Sequence, residues 1–159
     1  MFAKPQAEHH WLHKLVGQWQ CETEAVMDPD QPPQLSTSDV NVRMLGGLWA
    51  VIETRALPEQ RPFEAIMTLG YDPARKQYVG TFVGSMMTFL WQYEAGSVDE
   101  SGKKLVLDAE GPAFSGEGNA RYKDTIEQVD DDYWTLSSQV LGEDGKWNHF
   151  MTAHHRRKK

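Results

Sequence analysis

Hydrophobic positions along this chain change period once, and the change comes early. Leu12, Leu15, Val16 and Trp19 fall at i, i+3, i+4 and i+7, which predicts one apolar helical stripe. His9 and His13 lie at the edge of that stripe, while His10 and Lys14 point away from it. Gly17 is the expected stop, because glycine tolerates the positive φ of a helix C-terminal cap. Beyond it the period is two. Trp19, Cys21, Thr23, Ala25 and Met27 alternate with Gln20, Glu22 and Glu24. Val40, Val42 and Met44 alternate with Asp39, Asn41 and Arg43. Between these runs Pro29, Pro32 and Pro33 lack the ladder donor, so Asp28 to Ser36 is expected as the longest loop.

Turn signals divide the remainder. Gly46-Gly47 predicts a tight hairpin before a strand from Leu48 to Leu57. "LPEQRP" separates that strand from Phe63 to Asp72, and "YDPARKQY" turns the chain again. Gln77 to Ser85 and Met86 to Ala95 read as one long bent strand or as two, with Gly84 at the bend. Leu105 to Glu110, Arg121 to Val129, Tyr133 to Leu141 and Trp147 to Arg157 complete about ten strands with no helix between them. This rhythm predicts an all-β fold, an antiparallel up-and-down barrel with the short N-terminal helix as a lid. Residues 1–159 are expected to form one domain.

Charge and composition narrow the partners. A net charge of −7 argues against nucleic acid and anionic membrane surfaces, which need clustered Lys and Arg. The basic run Arg156-Arg157-Lys158-Lys159 reads as a solvated tail. One cysteine cannot form an internal disulfide, and no apolar run has the length of a signal peptide or a membrane span. A cytoplasmic protein is the expectation.

Candidate chemistry is sparse. His9 and His13 have the spacing of a zinc-binding helix, but His10 stands where a hydrolytic base would be Glu, so lid histidines are the better reading. On the last strand, period two puts His149 and His155 on one face, with His154 opposite beside Phe150 and Thr152. One of the two faces enters the barrel. Met67, Met86, Met87, Phe89 and Trp91 are soft and aromatic, suited to an apolar ligand wall. Arg43 and Glu53 stand on neighbouring strands as an ion pair that either faces inward or lies on the wet face, and Arg121, Asp124 and Glu127 are further candidates. Cys21 has no base nearby in sequence, Ser85 in "VGSMM" is not a nucleophile elbow, and "GPAFSGEG" opens no helix. No catalytic residue, metal site or cofactor is assigned.

Several strings in one order carry a resemblance: "HKLVGQW", "LGGLW", "MTLGYDPARKQYVGTFVGSMM", "LWQYE", "LDAEGPAF" and "DGKWNHFMTAHHRRK". Together they resemble a bacterial family known only as a domain of unknown function, DUF1579. The resemblance implies a calycin-like barrel, similar to lipocalins, fatty-acid-binding proteins and nitrobindin-type barrels, and it implies no activity. Similarity to lipocalins further implies that Arg156 or Arg157 stacks on Trp19 beside Gly17 and closes the barrel bottom. Similarity to nitrobindin-type barrels implies haem on a histidine near the chain end, although their early Gly-rich, Tyr-Pro string is absent here. The expected function is binding of a small apolar or amphipathic molecule, with Arg43, Glu53, Met67, Met87, Phe89, Trp91, Phe150 and His154 as the site. Rival readings are an enzyme using Glu53 or a last-strand histidine as acid–base group, and a packed barrel that serves oligomerisation. A homodimer is among the expected partners.

Overall fold

In the computed structural model, which describes residues 2–159, one helix precedes ten strands. They are α1 (Ala7–His13), β1 (Gly17–Ala25), β2 (Gln34–Leu45), β3 (Trp49–Ala56), β4 (Glu64–Asp72) and β5 (Gln77–Gly84). Then follow β6 (Trp91–Val98), β7 (Lys104–Pro112), β8 (Asn119–Asp130), β9 (Tyr133–Leu141) and β10 (Trp147–Arg157). Consecutive strands pair antiparallel, and β1 pairs with β10, so the sheet closes and no edge is left exposed. Among the described residues, no helix is long and apolar enough to cross a membrane.

Three local features differ from the sequence pattern, and a fourth, whether residues 77–95 form one strand or two, is decided as two. The helix has only seven residues, and Trp19 belongs to β1 instead of the helical stripe. Lys14 caps the helix, while Gly17, at φ +142°, serves β1: a Cβ there would strike the Arg157 guanidinium. β2 begins at Gln34, because Gln34, Leu35 and Ser36 of the expected loop pair with Ala25, Glu24 and Thr23 of β1. Residues 85–90 leave the sheet, so β5 and β6 are two strands. Gly46 and Gly47 do form the expected turn, both at positive φ (63° and 73°).

A seven-residue helix does not hold itself in water, so α1 is placed by what it packs against. Leu12 and Leu15 are fully buried in one barrel end. The Trp11 indole N–H donates to the Gly102 carbonyl at 2.8 Å, and the Gln128 amide donates to the Trp11 carbonyl at 2.9 Å. The Tyr78 hydroxyl donates to the Glu8 carbonyl at 2.8 Å. Arg157 completes this end: its guanidinium lies 4.2 Å from the Trp19 ring and donates to the Val16 and Asp131 carbonyls. The expected arginine–tryptophan closure is therefore made by Arg157. Arg156 points outward and lies over Tyr133 at 4.3 Å.

The interior has two halves. Next to the helix, Leu12, Leu15, Trp19, Leu69, Leu105 and Ile126 are each at most 1% exposed and fill the lumen. Toward the other end several inward positions carry small side chains, and some of them keep accessible surface. That gradient positions the site.

Candidate functional site: a cup at the open end of the barrel

Thr23, Ala25, Thr54, Ala65, Ala109 and Ser138 point inward at the end opposite α1. Of these, Thr23, Ala25 and Thr54 remain partly accessible, while Ala65, Ala109 and Ser138 are buried. On the side formed by β6, β8 and β10 the rim carries rings instead. Phe89–Trp91, Trp91–Tyr122 and Phe114–Phe150 meet edge to face, each pair with centroids 4.9 Å apart. Tyr122 and Phe150, at 6.1 Å, join them into one chain of rings. Gly111 gives the Trp91 indole its seat, since a Cβ there would strike the ring. The indole N–H donates to the Met87 sulfur at 3.0 Å, which ties the 85–90 loop to the rim.

Below the rings lies a carboxylate that the sequence reading treated only as a candidate ion-pair partner. Asp124 is in phase with inward-facing Tyr122 and Ile126 on β8, and its register neighbours are Leu107 and Ser138. The Tyr93 hydroxyl donates to its Oδ2 and the Ser138 hydroxyl to its Oδ1, both at 2.6 Å. The barrel wall encloses the carboxyl, which points to the inner side of the sheet. Burial raises the carboxyl above its ordinary pKa, while the Ser138 and Tyr93 hydroxyls pull it the other way. Tyr93 is raised well above the usual phenol value, by burial first and by the neighbouring carboxylate second. Among the described residues no cation forms an ion pair with Asp124. Lys104 reaches Glu127 at 4.0 Å, and Lys123 lies over Trp147 at 4.6 Å.

The sequence-predicted residues divide. Trp91 and Phe150 are in the ring cluster, and Phe89 and Met87 stand beside them at the rim. Met67 faces inward but is sealed in the wall at 4% exposure. Met86 sits in the rim loop over Gly84 and is 54% exposed. Arg43 and Glu53 do pair, at 3.4 Å, but on the outer wall. The inward placement considered for them does not occur, because Arg43 and Glu53 are out of phase with buried Val42 and Ile52. His154 is also outside, its Nδ1 2.7 Å from the Tyr133 hydroxyl.

The last-strand expectation needs a further correction. A bulge at Phe150 shifts the register, so His149 faces out while His155 faces in, and the two do not share a face. His155 stacks on Trp134 with ring centroids 3.5 Å apart and planes within 1°. It stands in the packed half, where Trp19, Cys21, Ser38 and Trp134 around it are each at most 3% exposed. Burial pushes its pKa down to about 3, and among the described residues its Nδ1 and the Trp134 Nε1 are buried without a hydrogen-bond partner. A haem macrocycle does not fit beside it, because its wall neighbours close the space an iron would need. Cys21 is a buried thiol whose pKa burial pushes up, so it is a poor nucleophile.

At the lid, the Gln6 backbone N–H donates to His9 Nδ1 at 2.9 Å, and His9 packs edge-on against Tyr71. His13 lies 3.3 Å from the Gly47 carbonyl. Among the described residues no three His, Cys, Asp or Glu side chains gather as a metal-holding group. Two clefts lie elsewhere: one of about 380 Å³ on the outer wall among Asp39, Glu53, Arg55 and Lys158, and one of about 310 Å³ beside Lys14, Gln128 and Asp131 at the closed end. The outer one is ringed by ion pairs, Lys158–Asp39 at 2.6 Å and Arg55–Glu64 at 2.9 Å.

Solved structures share this architecture. Rv2717c from M. tuberculosis aligns over 98% of this chain and 100% of its own, with TM-score 0.61 and 16% identity. The S-type phycobiliprotein lyase CPES from Guillardia theta aligns over 97% of this chain and 94% of its own, with TM-score 0.58 and 12% identity. A protein of unknown function from the DUF3598 family of Nostoc punctiforme aligns over 92% of this chain and 48% of its own, with TM-score 0.50 and 10% identity. At these identities the likeness is one of fold. No curated protein matches the chain. Residues 4–157 match the family described as protein of unknown function (DUF1579), and the chain belongs to that family.

Proposed function

We propose that this barrel binds a small amphipathic molecule in its open-end cup. The apolar body lies against Trp91, Tyr122 and Phe150, and the polar end points toward Asp124, Tyr93 and Ser138. The observation that carries the reading is the division of the lumen, packed beside α1 and lined with small side chains around a buried polar group at the other end. Ligand sites have this composition: mostly apolar and aromatic walls with a few convergent polar groups. A fold shared with a phycobiliprotein lyase is compatible with it. A fully packed oligomerisation barrel fits less well, since the inward positions at the open end carry small side chains of which Thr23, Ala25 and Thr54 stay partly accessible. With no basic face and a net charge of −7, a small molecule in the cytoplasm suits the chain better than nucleic acid or an anionic membrane.

The test is titration with an environment-sensitive naphthalene dye. Saturable one-site binding that Trp91→Ala weakens at least about tenfold is expected, since lost aromatic contact area dominates small-ligand affinity. Binding that is unsaturable, or indifferent to Trp91→Ala, overturns the reading.

A further inference from the structure

The cup contains a carboxyl group with which no cation pairs among the described residues, and that selects among amphipathic ligands. Asp124 accepts from two neutral hydroxyls, and its inward neighbours Leu107, Ala109 and Leu136 are uncharged. The cations of the adjacent strands are turned to the outer wall, where Lys104 meets Glu127 and Lys123 covers Trp147. Taking a carboxylate out of water is expensive unless charge or hydrogen bonds return what the water gave. The hydroxyls of Tyr93 and Ser138 occupy one acceptor position on each oxygen, and a carboxylate oxygen has two. Asp124 stands on the inward face of β8 with Tyr122 and Ile126, so its remaining acceptor positions are on the lumen side of the wall. Above them stand Trp91, Tyr122 and Phe150, and aromatic faces attract cations and repel anions.

We propose that the ligand of this cup is a cationic amine: an apolar, ring-sized body seated on Trp91, Tyr122 and Phe150, with an ammonium group donating to Asp124. The assignment rests on the cup reading above and specifies its polar end. It disfavours fatty-acid-like carboxylates, which would bring a second negative charge against Asp124. An ammonium supplies three donors and a full positive charge, so it satisfies both free acceptor positions and neutralises the group.

Three probes with one body separate the possibilities: naphthylmethylamine, naphthylmethanol and naphthoate, each titrated by calorimetry at neutral pH. The amine is expected to bind at least about tenfold more tightly than the alcohol, as a charge-assisted hydrogen bond gives, and the carboxylate more weakly than either. Asp124→Asn is expected to bring amine and alcohol within about threefold of each other, chiefly by weakening the amine. Equal binding of amine and alcohol, or tightest binding of naphthoate, overturns the amine assignment and leaves the cup reading standing. If none of the three binds, the cup reading fails with it. The wild-type series decides even where Asp124→Asn does not fold, and Tyr93→Phe, which keeps the charge, is expected to retain the amine preference.

Discussion

Acidification should unfold this barrel through His155. Its ring is 4% exposed and stacked flat on Trp134, and burial, with a smaller contribution from nearby His154, depresses its pKa from 6.5 to about 3. The folded pKa is below the unfolded one, so between these values the unfolded chain binds the proton and the folded chain does not. The stabilising contribution is complete above about pH 6.5 and is lost as pH falls toward about 3. One unit is worth about 1.4 kcal/mol, so the full depression amounts to about 5 kcal/mol, a large share of the roughly 5–15 kcal/mol typical of a domain. Asp124 has the opposite sign: its folded pKa is raised, so its contribution falls as pH rises through that pKa. Urea unfolding at about pH 4, 5, 6 and 7, for wild type and for His155→Phe, cancels Asp124 because both chains contain it. Wild type is expected to lose little more than the variant between pH 7 and 6, and about 1.4 kcal/mol per pH unit more between pH 5 and 4. Parallel curves for the two proteins would refute the claim that His155 is held neutral by burial.

Two substitutions test the ends of the barrel. Arg157→Ala removes the cation–π contact with Trp19 and orphans the Val16 and Asp131 carbonyls, so a loss of about 2–3 kcal/mol is expected in chemical denaturation. Arg156→Ala, over exposed-side Tyr133, is expected to lose at most about 1 kcal/mol, and equal losses would contradict the assignment of Arg157 as the closing residue. Gly111→Val drives a side chain into the Trp91 indole and is expected to cost about 1–3 kcal/mol and shift tryptophan emission to the red. An unchanged spectrum would show that Trp91 does not sit over β7.

Much of this architecture was legible because strands alternate faces. The limits of β9 and β10, Tyr133–Leu141 and Trp147–Arg157, coincide with those read from the pattern, and Gly46-Gly47 turns as expected. Alternation also holds the answer for Arg43, which shares a face with Asp39 and Asn41 and not with Val40 and Val42. Asp124 carried a signal of the same kind, a charge in phase with Tyr122 and Ile126. What alternation cannot supply is its meaning, because Tyr93 meets Asp124 only after β6, β7 and β8 have paired. Nor does period two survive a bulge. One extra residue at Phe150 turned His149 away from His155 and brought the Phe150 ring to Tyr122. The short helix misled for another reason: Trp19 extends its apolar period by coincidence, while Gly17 is needed for the approach of Arg157.

The most direct test of the central claim is methyl NMR of the protein titrated with naphthylmethylamine. Binding in the cup predicts saturable ring-current shifts at Ala25, Ala65 and Met151, which face the open half of the lumen, with Val79 and Val83 on the outer wall unmoved. Shifts confined to Val79 and Val83, or to residues of the outer cleft such as Ile66, would contradict it.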